Sequence, residues 1–142
     1  MSKLEWRSEL LLHIPGIDRQ HEELVARAGD LHNAMDLARP KDELLILLSA
    51  LVLCAETHFR SEEEMMLAHG YEGRAEHASR HAQLLEQVYL VRQELSSGKI
   101  GICQPLLVFV EAWTEQHILK QDSEFAAFLK SKEPTPVAAA AC

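Results

Sequence analysis

The sequence predicts an all-α fold: an antiparallel up-down-up-down four-helix bundle with an irregular N-terminal arm. Three observations carry that reading. Turn-forming residues are gathered into short clusters: "IPG" at 14–16, "RPKD" at 39–42, "HGYEG" at 69–73, "SSGKIG" at 96–101 and "EPTP" at 133–136. Between them lie four long segments without a β-branched run, and the one proline among them, Pro105, stands near the start of the last. Within each segment apolar residues recur at three- and four-residue steps, the period of one helix face. Connections this short make successive helices antiparallel neighbours.

The first ~17 residues read as an arm that Trp6 packs against the bundle, since a large amphipathic ring gains most from burial. The first helix is predicted from about Asp18 to Ala38, with Asp18 as its cap. Its inward stripe is His21, Leu24, Val25, Ala28, Leu31 and Met35. The second runs from about Lys41 to His69, with Leu44, Leu48, Leu51, Ala55, His58, Glu62 and Met65 or Met66 in line. The third occupies roughly Arg74 to Ser97 and turns inward His77, His81, Leu84, Val88, Val91 and Leu95. Gly98 suits its C-terminal stop. The fourth is predicted to begin after Pro105, a residue at home in a first helical turn. It carries Leu106, Val110, Trp113 and His117, then Phe125, Phe128 and Leu129. The bundle thus spans 1–131, and 132–142 is a flexible tail with little to bury.

With 142 residues, 47% of them hydrophobic and 25% charged, the chain suits one hydrophobic core. A formal net charge of −8 argues against nucleic acid, because no basic surplus exists to displace counterions. The apolar run Leu10–Leu12 is too short for a signal-peptide core. No apolar stretch approaches the ~18 residues that span a bilayer, so no membrane partner is expected. Cys54, Cys103 and Cys142 are odd in number and form no Cys-x-x-Cys, which fits a reducing cytoplasm. Cys54 reads as a small hydrophobe and Cys142 as a thiol on the tail. The outer helix faces show no extra apolar stripe and leave the oligomeric state and any protein partner open.

Histidine is the anomaly. Of the eight, His21, His58, His77, His81 and His117 fall on inward stripes, and these come from all four helices. A buried imidazole must satisfy both nitrogens, so an apolar face gains nothing from one without a task. His58 and Glu62 are four residues apart, as are His77 and His81, which puts each pair on one helix face. His117 and Asp122 are five apart. A regular α-helix turns them away from each other, so either a local π-bulge brings them together or Asp122 reaches around. Five imidazoles with two carboxylates suit iron or manganese, and they exceed what one ion takes. Two metals bridged by the carboxylates follow. Glu63 and Glu64 are expected on the solvated face, and His13, His32 and His69 in surface or capping roles. Asp18 could also orient nearby backbone or His21.

The pieces "GIDRQHEEL" (16–24), "HFRSEE" (58–63), "HASRH" (77–81) and "WTEQHILKQD" (113–122), behind the arm "LEWRSEL", resemble the hemerythrin family, specifically its bacterial members. The resemblance covers about residues 4 to 129, and its ordered set includes the five-residue step from His117 to Asp122. It implies a non-haem di-iron centre. One iron would take His77, His81 and His117, and the other His21 and His58 with a position left open. Glu62 and Asp122 would bridge them, together with an oxo or hydroxo group. It further implies reversible dioxygen binding, for carriage, storage or delivery, beside an apolar pocket for which Leu24, Phe59, Trp113 and Ile118 are the candidates. A sensor of dioxygen, nitric oxide or redox state, signalling to a separate partner, is the alternative; the lack of a recognisable output domain in the chain weighs for the carrier. Ferritin-like oxidising sites carry Glu-x-x-His, which this chain lacks, so no enzymatic activity is expected.

Overall fold

The computed structural model describes residues 5–132, without the side chains of residues 100–104 and 106. The predicted bundle is present. Helix α1 spans Pro15–Asp36, α2 Lys41–Ala68, α3 Arg74–Ser96 and α4 Ile100–His117, followed by a π turn over Ile118–Asp122 and α5 over Ser123–Ser131. The residues at both junctions, Ile118 and Ser123, keep right-handed helical angles, so α4, the π turn and α5 form one continuous fourth rod. Helix α1 packs on α2, α2 on α3, α3 on α4 and α4 back on α1. Among the described residues there is no strand.

Two starting points differ from expectation. Helix α1 begins at Pro15, whose missing N–H is one of the donors a helix start leaves unpaired anyway. Asp18 is therefore inside the first turn and not its cap. Its carboxylate instead accepts the backbone N–H of Leu12 (2.7 Å) and of Ile14 (3.2 Å), fastening the arm to the helix. The arm ends at Ile14 and, among its described residues, contains one 3-10 turn, Ser8–Leu10. Helix α4 begins at Ile100 and not after Pro105, which lies exposed inside it. Close to the helix start this proline gives up a single backbone hydrogen bond and finds solvent around its ring.

Among the described residues, packing divides into three apolar clusters. The largest fills one end with Leu31, Leu48, Leu84, Val88, Leu95 and Leu107. Ile17, Met66 and Phe125 fill the other. Leu10, Val25 and Ile118 form the third, against which Trp6 packs the arm, as predicted. Arg7 adds a half-buried ion pair to Glu115 at 3.1 Å. The inward histidines lie between the two end clusters: His21 between Ile17 and Leu24 on α1, and His58 and Glu62 between Ala55 and Met66 on α2. Leu106, expected on the inward stripe, has its side chain outside the described set, whereas Leu107 and Val110 are buried. Residues 133–142, with Cys142, also lie outside it.

Helix α2 departs from expectation on its outer face. Ile46, Leu53 and Leu67 are 69%, 65% and 61% exposed and stand at multiples of seven residues, so they share one outward side. The helix contains a window of mean hydropathy 1.5, long and apolar enough by length and composition to cross a bilayer. In the bundle its other side supplies core residues.

The α2 and α3 helices end on Gly70 (φ 66°) and Gly98 (φ 86°), and α1 ends on Ala38 at φ 53°. At each end the amide beyond reaches back, as Arg39 N–H does to Ala34 O at 3.0 Å. Alanine pays a steric cost in this left-handed conformation that glycine does not. Ala38→Gly is therefore expected to stabilise the fold by about 0.5–1 kcal/mol, read as a higher urea midpoint at unchanged slope.

Candidate metal centre

Helix α1 contributes His21, α2 His58 and Glu62, α3 His77 and His81, and the fourth rod His117 and Asp122; none is more than 3% exposed. The π turn between His117 and Asp122 resolves the alternatives that spacing left open. A π turn closes on the fifth residue, which returns Asp122 to the face of His117, and their Nε2 and Oδ1 atoms stand 3.0 Å apart.

The Nε2 atoms of His81 and His117 are 3.0 Å apart, as are those of His117 and His77. His77 Nε2 also lies 2.7 Å from Glu62 Oε1 and 2.9 Å from Asp122 Oδ1. On the other side His21 Nε2 stands 3.0 Å from Asp122 Oδ2, and His58 Nε2 3.5 Å from Glu62 Oε2. Several of these contacts are short without having hydrogen-bond directions. Both nitrogens of His21, His58 Nε2, Glu62 Oε2 and both oxygens of Asp122 are buried and have no hydrogen-bond partner. Atoms aimed at a common third point have this geometry. Nitrogens bound to one cation at ~2.1 Å and at right angles would stand ~3.0 Å apart.

The donor atoms form two groups, each within 4.8 Å: Glu62, His77, His81, His117 and Asp122 in one, and His21, His58, Glu62 and Asp122 in the other. Glu62 and Asp122 belong to both. The residues present therefore fit a pair of cations linked by two carboxylates, whose negative charge offsets that of the ions in a dry interior.

Partners on the far side of two rings set their tautomers. His58 Nδ1 donates to Gln20 Oε1 (2.7 Å) and His81 Nδ1 to Glu63 Oε2 (2.8 Å). An oxygen that only accepts keeps the proton on Nδ1 and leaves the Nε2 lone pair free for a cation. Glu63 thus corrects the expectation of a solvated face, although Glu64 is exposed as expected. Gln20 and Glu63 were not on the inward stripes because each is one residue, hence ~100° of helix rotation, from a residue that is. Their adjacency to His21 and Glu62 was the available signal.

The other histidines divide. His13 is exposed, and His69 Nδ1 caps α2 on Met65 O at 2.9 Å. His32 does not take the expected surface role: it is buried and stands 2.5 Å from the buried Glu111 carboxylate. Of the pocket candidates, Phe59 stacks on His81 (3.9 Å, 6°) and Trp113 on His117 (4.5 Å, 15°). Leu24 lines an enclosed cavity of about 10 Å³ with Ala28, Ala55, Leu84, Val110 and Thr114. Thr114 gives its hydroxyl proton to Val110 O at 2.8 Å, which leaves that cavity apolar and about one water in size. Ile118 is buried in the arm cluster instead. Cys54 packs half-buried against the core as a small apolar side chain, and burial pushes its thiol up to about 11.

Burial drives the His58 imidazole down to about 4. Burial also works against the charge of Asp122 and Glu62, yet contacts with the imidazoles outweigh it and hold both below the usual carboxylate range. His77 is pulled the same way by burial but ends raised to about 9 by Asp122 and Glu62. Between pH 6.5 and about 4 the unfolded chain takes up a proton at His58 that the folded chain refuses, so stability falls with pH there. The depressed carboxylates act in the same direction at lower pH. His77 contributes stability below 6.5 that is withdrawn as pH rises toward about 9. Metal-free protein is thus expected to lose stability on both sides of neutrality, checked by urea midpoints across pH in the presence of a chelator.

A bundle with this buried histidine–carboxylate cluster is a metal-binding protein by construction. The chain belongs to the hemerythrin family: the model of the hemerythrin HHE cation binding domain matches residues 12–129. It is 28% identical over 124 residues to a bacteriohemerythrin of Clostridium acetobutylicum, covering 84% of this chain and 96% of that one. To a bacteriohemerythrin of Methylococcus capsulatus it is 26% identical over 132 residues, covering 92% and 100%. Its fold matches the crystal structure of a wild-type hemerythrin with a TM-score of 0.80 at 24% identity, covering 89% of this chain and 97% of that one. The family supports non-haem di-iron oxygen binding as the general activity.

Proposed function

We propose that the protein holds two iron ions and binds dioxygen reversibly, as a carrier, store or delivery module in the cytoplasm. The carrying observation is the sharing of Glu62 and Asp122 between two donor groups of unequal histidine content. In this reading His77, His81 and His117 hold one iron, His21 and His58 hold the other, and the two carboxylates join them. The side with two imidazoles leaves coordination room for a ligand. When bound, the ferrous pair supplies the electrons that hold dioxygen. The chain does the rest: it excludes water, turns each Nε2 inward, and sets two negative charges between the cations.

Histidine-rich ligation supports binding over oxidative turnover, and the family's members are oxygen binders. Phe59, Trp113 and Ile118 shield the imidazoles and the arm side, and the cavity beside Leu24 gives a small apolar molecule a place near the metals. The cysteine pattern supports the reducing compartment. The test is metal content and the visible spectrum of anaerobically reduced protein before and after admitting dioxygen. Two irons per chain, a colourless reduced form, and a band that appears with dioxygen and fades on its removal are expected. Iron-free protein, or oxidation that dioxygen removal does not reverse, would overturn the reading.

A further inference from the structure

His81 differs from His21, His58 and His117 in having a carboxylate at each of its nitrogens, both from α2 and from consecutive residues. Glu62 Oε1 lies 3.3 Å from Nε2, and Glu63 Oε2 accepts the Nδ1 proton at 2.8 Å. The Phe59 ring lies flat on the imidazole at 3.9 Å and 6°, so the ring cannot turn away from either. At His58, His21 and His117 the far nitrogen has a weaker partner or none. His58 Nδ1 faces the neutral amide of Gln20, and Nδ1 of His21 and of His117 has no hydrogen-bond partner.

We propose that Glu63 is a positioning residue that acts through His81 to lower the reduction potential of the three-histidine side of the centre relative to the His21–His58 side. The inference rests on the functional reading above. A hydrogen bond to an ionised acceptor is roughly twice as strong as one to a neutral amide. It shifts electron density toward Nε2, and a more electron-rich imidazole favours the ferric over the ferrous ion. The Gln20 amide exerts the weaker form of the same effect on His58, so the two metals sit in unequal fields although Glu62 and Asp122 are common to both. Glu63 is placed for this by its step from Glu62 and by the packing of α2 on α3: Glu62 turns into the bundle, and the next residue turns ~100° to the α3 side, where His81 presents its outer nitrogen.

The experiment compares wild type with Glu63→Gln and with the reciprocal Gln20→Glu, each loaded with iron. Glutamine keeps an acceptor oxygen for Nδ1 and removes only the charge. Spectroelectrochemical titration of Glu63→Gln should show full iron content and a ferric/ferrous equilibrium moved ~10-fold toward ferrous, about 60 mV for one electron. Gln20→Glu should move it the opposite way. In zinc-loaded protein, which has no redox couple, the downfield Nδ1 proton of His81 should move upfield in Glu63→Gln. An unmoved potential with both irons retained overturns the inference and leaves the functional reading intact. Loss of iron from Glu63→Gln also overturns it, because the residue then serves assembly and not potential. Wild-type protein that takes up no iron would overturn both.

Discussion

Asp122→Ala is expected to empty both metal positions. The Asp122 carboxylate lies within 3.0 Å of the Nε2 atoms of His21, His77 and His117, which come from three different helices. It is also a member of both donor groups. Alanine removes one of the two negative charges that separate the cations, so the remaining ions would repel across a low-dielectric interior. Loss of a residue that merely orients a ligand commonly costs 10–100-fold in affinity, and loss of a shared ligand should exceed ~100-fold. Iron measured after desalting should fall from two per chain to near none, and Glu62→Ala should behave alike. Glu64→Ala is the control: that side chain is exposed, and its removal should leave iron unchanged. Two irons retained with either bridging residue removed would overturn the ligand assignment.

The largest effect on stability is expected from Glu111→Ala. The His32–Glu111 contact, 2.5 Å between residues 4% and 2% exposed, joins α1 to α4 inside the core. Removing the carboxylate leaves His32 buried with its strongest partner gone, which typically costs about 3 kcal/mol. For a chain of this size that corresponds to a fall in Tm of about 10 °C. Iron content should be unaffected, since Glu111 belongs to neither donor group and lies six residues, ~9 Å of helix, before His117. Glu111→Gln keeps an acceptor and should lose much less. A shift in Glu111→Ala of under about 2 °C would show that the pair contributes little.

Helix stripes were legible because burial of a helix face imposes a period, and the period is local. Thus His21, Leu24, Val25, Ala28, Leu31 and Met35 are all buried, as are Leu44, Leu48, Leu51, Ala55, His58 and Glu62. Periodicity fades where a helix is apolar all round. In "LLILL" at 44–48 no period separates inside from outside, so the outward line of Ile46, Leu53 and Leu67 leaves no mark in the pattern. The start of α1 is likewise not marked by residue type. Asp18 looks like a cap by type, but Pro15 starts the helix earlier and leaves Asp18 free to hold the arm.

The fold class, the five inward histidines and Glu62 were thus legible along the chain, by periodicity and residue type, whereas Asp122 was not, because five residues on a regular helix turn it away from His117. Partnership across helices was not. Whether Glu63 reaches His81, whether Gln20 reaches His58, and whether His32 faces Glu111 depend on how far each helix slides and rotates against its neighbour. That register is a sum over the whole interface, and no single segment contains it. The π turn belongs with these: five residues from His117 to Asp122 permit more than one backbone path, and only the packed fourth rod selects the one that turns Asp122 into the centre.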